Sequence, residues 1–250
     1  MGLSKQDLTF RSPLMNAAGT LGFTPEARAA VDWGLFGAFL TNPISLRPRR
    51  PAANPALIEY PGGFLLHSGL PNPGLPAVLK KFSRRWAEAA LPIIPHLMAD
   101  RPEETARMVR MLEGLENVAA LELGFAPQLA GDLILMTVES ALGELPILVN
   151  LPFDQVLTLG PRLIQSGAAA LSLSAPRGAL PGPGNLPISG RLLGPGLFPQ
   201  AFEIVRSAAR LGLPILGGVG VYRRAQAEAM LAAGALAVQI DAVLWRGGLT

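Results

Sequence analysis

The stretch ILGGVGVYRRAQAEAMLAAGALAVQI, Ile215 to Ile240, holds a strand, a glycine loop, a helix and a second strand in order. Its apolar start, Pro214 to Gly217, is too short for a helix and reads as a buried strand, followed by the loop Gly217-Gly218-Val219-Gly220. Arg223 to Ala233 reads as a helix closed by Gly234, and Ala237 to Ile240 as the next strand. Two apolar strands joined through a helix are the unit from which parallel sheets are built.

That unit recurs toward the N-terminus. SGAAAL from Ser166 and AAGALAV from Ala232 share one cause: a helix ends on glycine and an alanine-rich turn feeds the next strand. Eight candidate strands follow from the same pattern: Leu14 to Ala17, Ala38 to Thr41, Pro92 to Leu97, Ala119 to Leu123, Pro146 to Asn150, Ala169 to Ser174, Pro214 to Gly217 and Ala237 to Ile240. In 250 residues this predicts one α/β domain over 1–250, a (β/α)8 TIM barrel. Asp100 and Glu103 have the spacing of a capping box, with Met108, Met111 and Leu112 on the inward stripe of the helix and Gly114 at its end. Two connections exceed what a minimal barrel needs, Asn42 to Leu79 and Ser174 to Pro195. Both follow strands, so both are expected as long loops at the face where barrel sites are built. After the eighth strand only Asp241 to Thr250 remain, so the last helix is expected to be truncated or missing. The groove this leaves invites a second subunit.

Composition excludes several classes of function. With no cysteine, disulfides, thiolate metal sites and thiol nucleophiles are out. A net charge of +3 comes from 21 Lys and Arg against 18 Asp and Glu. Its short basic clusters, Arg47 to Arg50 and Lys80 to Arg85, lack interleaved aromatics and read as solvated faces, so no nucleic-acid partner is expected. No secretory leader and no membrane-spanning run is legible, which leaves a cytoplasmic protein as the expectation. Charged residues are only 16% of the chain and mean hydropathy is +0.36, so an apolar patch for a partner is expected.

MNAAGT at Met15 to Thr20, PGGFLLHSGLPNPG at Pro61 to Gly74, and the glycine loop with Ala237-Val238-Gln239 together resemble dihydroorotate dehydrogenases of the soluble class 1 type. The resemblance covers nearly the whole chain. It implies a barrel that holds FMN at its mouth, with Ala17, Ala18 and Gly19 against the flavin ring, Gly218 and Gly220 in the phosphate loop, and Asn72 toward the substrate. Elsewhere the chain departs from the family pattern, and it departs at the chemistry. Asn42 stands where the family has a lysine near the flavin, Leu66 where it has a pyrimidine-binding asparagine, Asn150 where it has the lysine of the fifth strand, and Ala175 where an asparagine follows the sixth. The segment carrying the Cys or Ser base corresponds to Gly124-Phe125-Ala126-Pro127-Gln128, in which neither Phe125 nor Ala126 can accept a proton. At the phosphate, the family's Gly-Thr pair is Asp241-Ala242. Asp241 is read as the cap of the following turn; it occupies donors that a phosphate needs and repels a dianion.

These departures predict a non-catalytic scaffold or subunit without a cofactor, working as a homodimer or in complex with another protein subunit. The alternative is an FMN-dependent oxidoreductase acting on dihydroorotate or another substrate through a rebuilt site. In that case His67 or His96 serves as acid or base, Asn42, Asn72 and Asn150 supply polar contacts, and Arg191 or Arg223 compensates at the phosphate. No metal site is expected, because neither histidine has further ligands at useful spacing.

Overall fold

The computed structural model describes residues 8–26, 31–182, 184 and 186–249, and in it the short apolar runs of the sequence form the staves of a barrel. Among the described residues thirteen strands lie in chain order: β1 (Leu14–Asn16), β2 (Phe39–Leu40), β3 (Ala56–Tyr60), β4 (Gly63–His67), β5 (Ile93–Ile94), β6 (His96–Met98), β7 (Leu121–Gly124), β8 (Ile147–Leu151), β9 (Ala170–Leu173), β10 (Arg177–Pro181), β11 (Pro187–Leu193), β12 (Ile215–Gly217) and β13 (Ala237–Ile240). Seven form one parallel sheet in the order β1-β13-β12-β9-β8-β7-β6. β2 pairs in parallel with β5, and a bridge from Met15 to Ala38 joins it to β1, so the curled sheet closes on itself. The third predicted strand is divided at Pro95. Proline lacks the N–H that a ladder needs, although its carbonyl still accepts from Glu122 N at 3.0 Å.

The period of two along each strand separates two cores. Met15, Ala38, Leu40, Ile94, Ala120, Leu148, Ala170, Leu216 and Ala237 point inward and pack on one another inside the barrel. Their sequence neighbours, such as Phe39, Ile93, Leu121, Val149, Leu171 and Val238, face outward into the larger core beneath the helices. Helix α1 (Leu75–Ala87) shows the outer packing: Leu75, Val78, Phe82 and Trp86 form its buried stripe, and Pro76 fits the first turn, where its missing N–H has no partner to lose. Trp86 Nε1 donates to Phe23 O at 2.7 Å. Truncating that fully buried indole to alanine is expected to cost roughly 3–5 kcal/mol.

Four more helices, α2 (Pro102–Leu112), α3 (Gly131–Ala141), α4 (Phe153–Gln165) and α5 (Phe198–Arg210), fall between later strands, and α6 (Arg224–Ala232) lies within one residue at each end of its predicted span. The predicted capping box of α2 does not form. The residue before the helix is Arg101, which makes no side-chain cap, and Asp100 Oδ1 instead accepts from Ala126 N at 2.7 Å, tying two barrel loops together. Met108 and Leu112 are buried as expected, and Met111 is half-buried. After β13 comes a 3-10 helix, Ala242–Arg246.

The two long connections are not loops. Each carries a hairpin, β3 with β4 and β10 with β11, and the hairpins join edge to edge into an antiparallel sheet in the order β10-β11-β4-β3. The seam is Arg191↔Leu66, Leu192↔Leu65 and Leu193↔Phe64. Gly190 permits the close approach, since a Cβ there would lie 2.6 Å from Leu66 O. This sheet forms a lid over the C-terminal mouth of the barrel. Trp245 helps hold it, with its ring 5.9 Å from that of Phe64 and its Nε1 donating to Thr20 O at 2.8 Å.

Candidate functional site

Between the mouth of the barrel and the lid lies a cavity of about 1140 Å³. Its floor is one residue layer above the apolar interior. Two positions beyond Ile94, Ala120, Leu148, Ala170 and Ala237 stand His96, Glu122, Asn150, Ser172 and Gln239, so strand geometry turns them all inward at the same height.

These residues form one hydrogen-bonded network centred on Glu122, which is fully buried. Glu122 Oε2 lies 2.6 Å from His96 Nδ1; Glu122 Oε1 accepts from Ser172 Oγ at 2.7 Å and from Gln239 Nε2 at 2.6 Å. Asn150 Nδ2 donates to Ser172 Oγ at 2.9 Å. Burial alone drives the Glu122 carboxyl upward, but the hydrogen bond and charge of His96, with the donors Ser172 and Gln239, together hold it below its ordinary value. Glu122 holds the Nδ1 edge of the His96 ring, which places Nε2 on the far side of the imidazole. Glu122 and Ser172 were not singled out in the sequence, and Gln239 entered only as part of a motif. The available signal was a charged residue in the middle of the apolar run Ala119 to Leu123.

Around this floor the cavity wall is mostly apolar or backbone. Ala17, Ala18 and Gly19 line it, as do Leu66, the whole segment Gly124 to Gln128, and Ala175. His67 lines it from the lid and His96 from the floor, so the two histidines belong to different walls. Asn150 also reaches it. Two of the named asparagines lie off the wall and serve the chain itself. Asn42 Oδ1 accepts from Gly22 N at 3.1 Å, and its own N–H donates to Gly22 O at 2.6 Å. Asn72 Oδ1 accepts from Ser45 Oγ and Gly74 N, both at 3.0 Å, and its Nδ2 donates to Leu70 O at 3.2 Å, which staples the turn before α1.

At the other end, Asp241 faces the glycine loop after β12. It does not cap the 3-10 helix that follows; its Oδ2 accepts from Gly220 N at 3.1 Å instead. Its Oδ1 is buried with no hydrogen-bond partner among the described residues. Burial pushes the Asp241 carboxyl up to about 6, against the opposing pull of the N–H groups of Gly220, Ala242 and Asp241 itself. The loop keeps a glycine-like shape although one glycine is absent: Val219 has a φ of 64° and Gly220 of 78°. Gly218 lies against Gln239, where a Cβ would come 3.1 Å from its carbonyl oxygen.

Of the two arginines suggested as compensators, Arg223 is exposed ahead of α6, while Arg191 lines the cavity from β11. No group of His, Cys, Asp and Glu among the described residues could hold a metal ion. Among those same residues, no helix is long and apolar enough to cross a membrane.

The sequence profile described as Dihydroorotate dehydrogenase matches residues 4–141. A protein of Pelobacter propionicus, named dihydroorotate dehydrogenase B (NAD(+)), catalytic subunit, is 30% identical over 96% of this chain and 86% of its own length. One of the same name from Trichlorobacter lovleyi is 28% identical over the same shares. Among solved structures, that of DHODH from Eimeria tenella in complex with ferulenol matches with a TM-score of 0.73 over 96% of this chain and 78% of its own, at 15% identity. That last likeness speaks to the fold alone.

Proposed function

The chain belongs to the dihydroorotate dehydrogenase family, and within that family we propose that it is a non-catalytic scaffold or subunit, unable to oxidise dihydroorotate. The observation that carries this reading is the Asp241–Gly220 hydrogen bond. In the family pattern that the chain resembles, the amides after the seventh and eighth strands hold the flavin phosphate. Here a carboxylate takes the Gly220 amide and adds a charge of the same sign as the phosphate. Flavin mononucleotide does not fit these residues. The position of the family's base supports the same reading, because Phe125 and Ala126 offer the cavity no proton acceptor. Loss of a general base alone removes about two to four orders of magnitude in rate.

A role in association then follows. The relatives are named as catalytic subunits, a word that describes one part of an assembly. We place this chain likewise in an assembly, as a homodimer or with another protein subunit.

A second reading has one observation in its favour. The His96–Glu122 pair on the cavity floor has the geometry of an oriented base, with Nε2 of His96 turned away from the carboxylate. That geometry suits a rebuilt oxidoreductase site acting on another substrate.

The test of the first reading is to incubate the purified chain with dihydroorotate, added FMN and an electron acceptor while following orotate absorbance. Light scattering on the same preparation reports its mass. No orotate and a mass above that of the monomer are expected. Orotate production overturns the non-catalytic reading, and a strict monomer with no co-purifying protein overturns the association.

A further inference from the structure

Arg191 carries a charge on the lid side of the cavity to which no carboxylate among the described residues is paired. It sits on β11 opposite Leu66 of β4, and its guanidinium lies over Gly19, 3.6 Å from where a Cβ would stand. Its guanidinium takes part in no side-chain hydrogen bond or ion pair among the described residues. Its cross-strand neighbour is Arg177, a second cation at the exposed rim of the same cavity. Enclosure and the nearby Arg177 charge both pull the Arg191 pKa down, although a guanidinium stays charged at neutral pH. Like charges set opposite one another in a sheet are unfavourable, and so is an enclosed cation without an anion.

The carboxylates that line the cavity do not answer this charge. Glu122 is committed to His96, Ser172 and Gln239, Asp100 to Ala126, and Glu203 to Arg206, while Asp154, exposed in the first turn of α4, makes no ion pair with Arg191. Asp241 faces the glycine loop.

We propose that Arg191, with Arg177 at the rim, is the anion-binding pole of the cavity and takes the carboxylate or phosphate group of a small organic ligand. The guanidinium offers paired donors that match either group, and Arg177 adds attraction along the way in. Asp241 sets the ligand's direction, since an anion is repelled from that end and drawn to this one. The two arginines stand on the lid hairpin and not on the glycine loop, so the site does not depend on whether the barrel catalyses a reaction.

Benzoate, phenyl phosphate and benzamide test this as matched aromatic probes, titrated calorimetrically and by thermal melting at constant ionic strength. At least one of the two anions is expected to bind saturably and raise the melting temperature, with neutral benzamide at least tenfold weaker. Whichever anion is stronger identifies the group as carboxylate or phosphate. Arg191→Met is expected to weaken that anion at least tenfold while melting no lower than the parent without ligand, because it removes an unanswered charge. Arg191→Lys keeps part of the binding. Failure of both anions to saturate, benzamide binding as well as they do, or an Arg191→Met protein that binds them undiminished overturns the proposal.

Discussion

Asp241 Oδ2 accepts the N–H of Gly220 at 3.1 Å, so the residue that follows the last barrel strand fills, with its side chain, the cup formed by the loop after the seventh. The bond is internal to the fold, yet it comes with a cost. The other carboxylate oxygen is buried without a partner among the described residues, and burial raises the pKa from an ordinary 3.8 to about 6.

A raised acid pKa means that the folded state binds the proton more tightly than the unfolded chain does. The Asp241 contribution is therefore most favourable below pH 3.8, declines as pH rises toward 6, and is a penalty above it. Asp241→Asn is expected to gain up to roughly 3 kcal/mol at pH 8 and to flatten this slope. Urea unfolding of both proteins across that range checks it; equal stability at pH 8 contradicts it.

Glu122 has the opposite sign. Its pKa is held below 4.5, so its stabilisation is present above that pH and is lost as pH falls through the lowered value. Glu122→Ala leaves His96, Ser172 and Gln239 without their shared acceptor and is expected to cost about 3–5 kcal/mol. Glu122→Gln keeps one oxygen for Ser172 and Gln239 and should cost about 1–2 kcal/mol while flattening the acid limb. Chemical denaturation of the three proteins ranks them.

Val219 sets two effects against each other. A β-branched residue at φ 64° is strained by about 1–2 kcal/mol. The same side chain is only 5% exposed, and its burial is worth about 1.5–2 kcal/mol. Val219→Gly is therefore expected to change stability by about 1 kcal/mol or less. Val149→Gly, on an ordinary buried strand, is expected to lose roughly 3 kcal/mol. Similar losses at the two sites contradict the strain.

Much of this architecture was legible in the residues, for physical reasons. Buried parallel strands read as apolar runs, and Gly234 after Ala233 ends a helix in any context, so the strand Ala237–Ile240 and helix Arg224–Ala232 emerge close to their predicted bounds. The lid did not. Leu57, Leu65 and Leu192 belong to hairpins whose pairing spans more than a hundred residues of sequence, and a strand that needs so distant a partner carries little local signal. Asp100 has the spacing of a cap but bonds to Ala126, a contact only tertiary structure creates. At the site, the absence of a base or an amide at Phe125, Ala126, Leu66 and Ala175 could be read directly. The network around Glu122 could not, because it depends on five strands presenting one layer at the same height.

Fluorescence titration of FMN with the purified chain is the most direct test of the proposal that this barrel's cup does not anchor a nucleotide phosphate. The native chain is expected to be colourless as purified and to give no saturable quenching, while Asp241→Gly with Ala242→Thr, which frees the Gly220 amide, gains measurable binding. A yellow native protein carrying stoichiometric flavin contradicts the account.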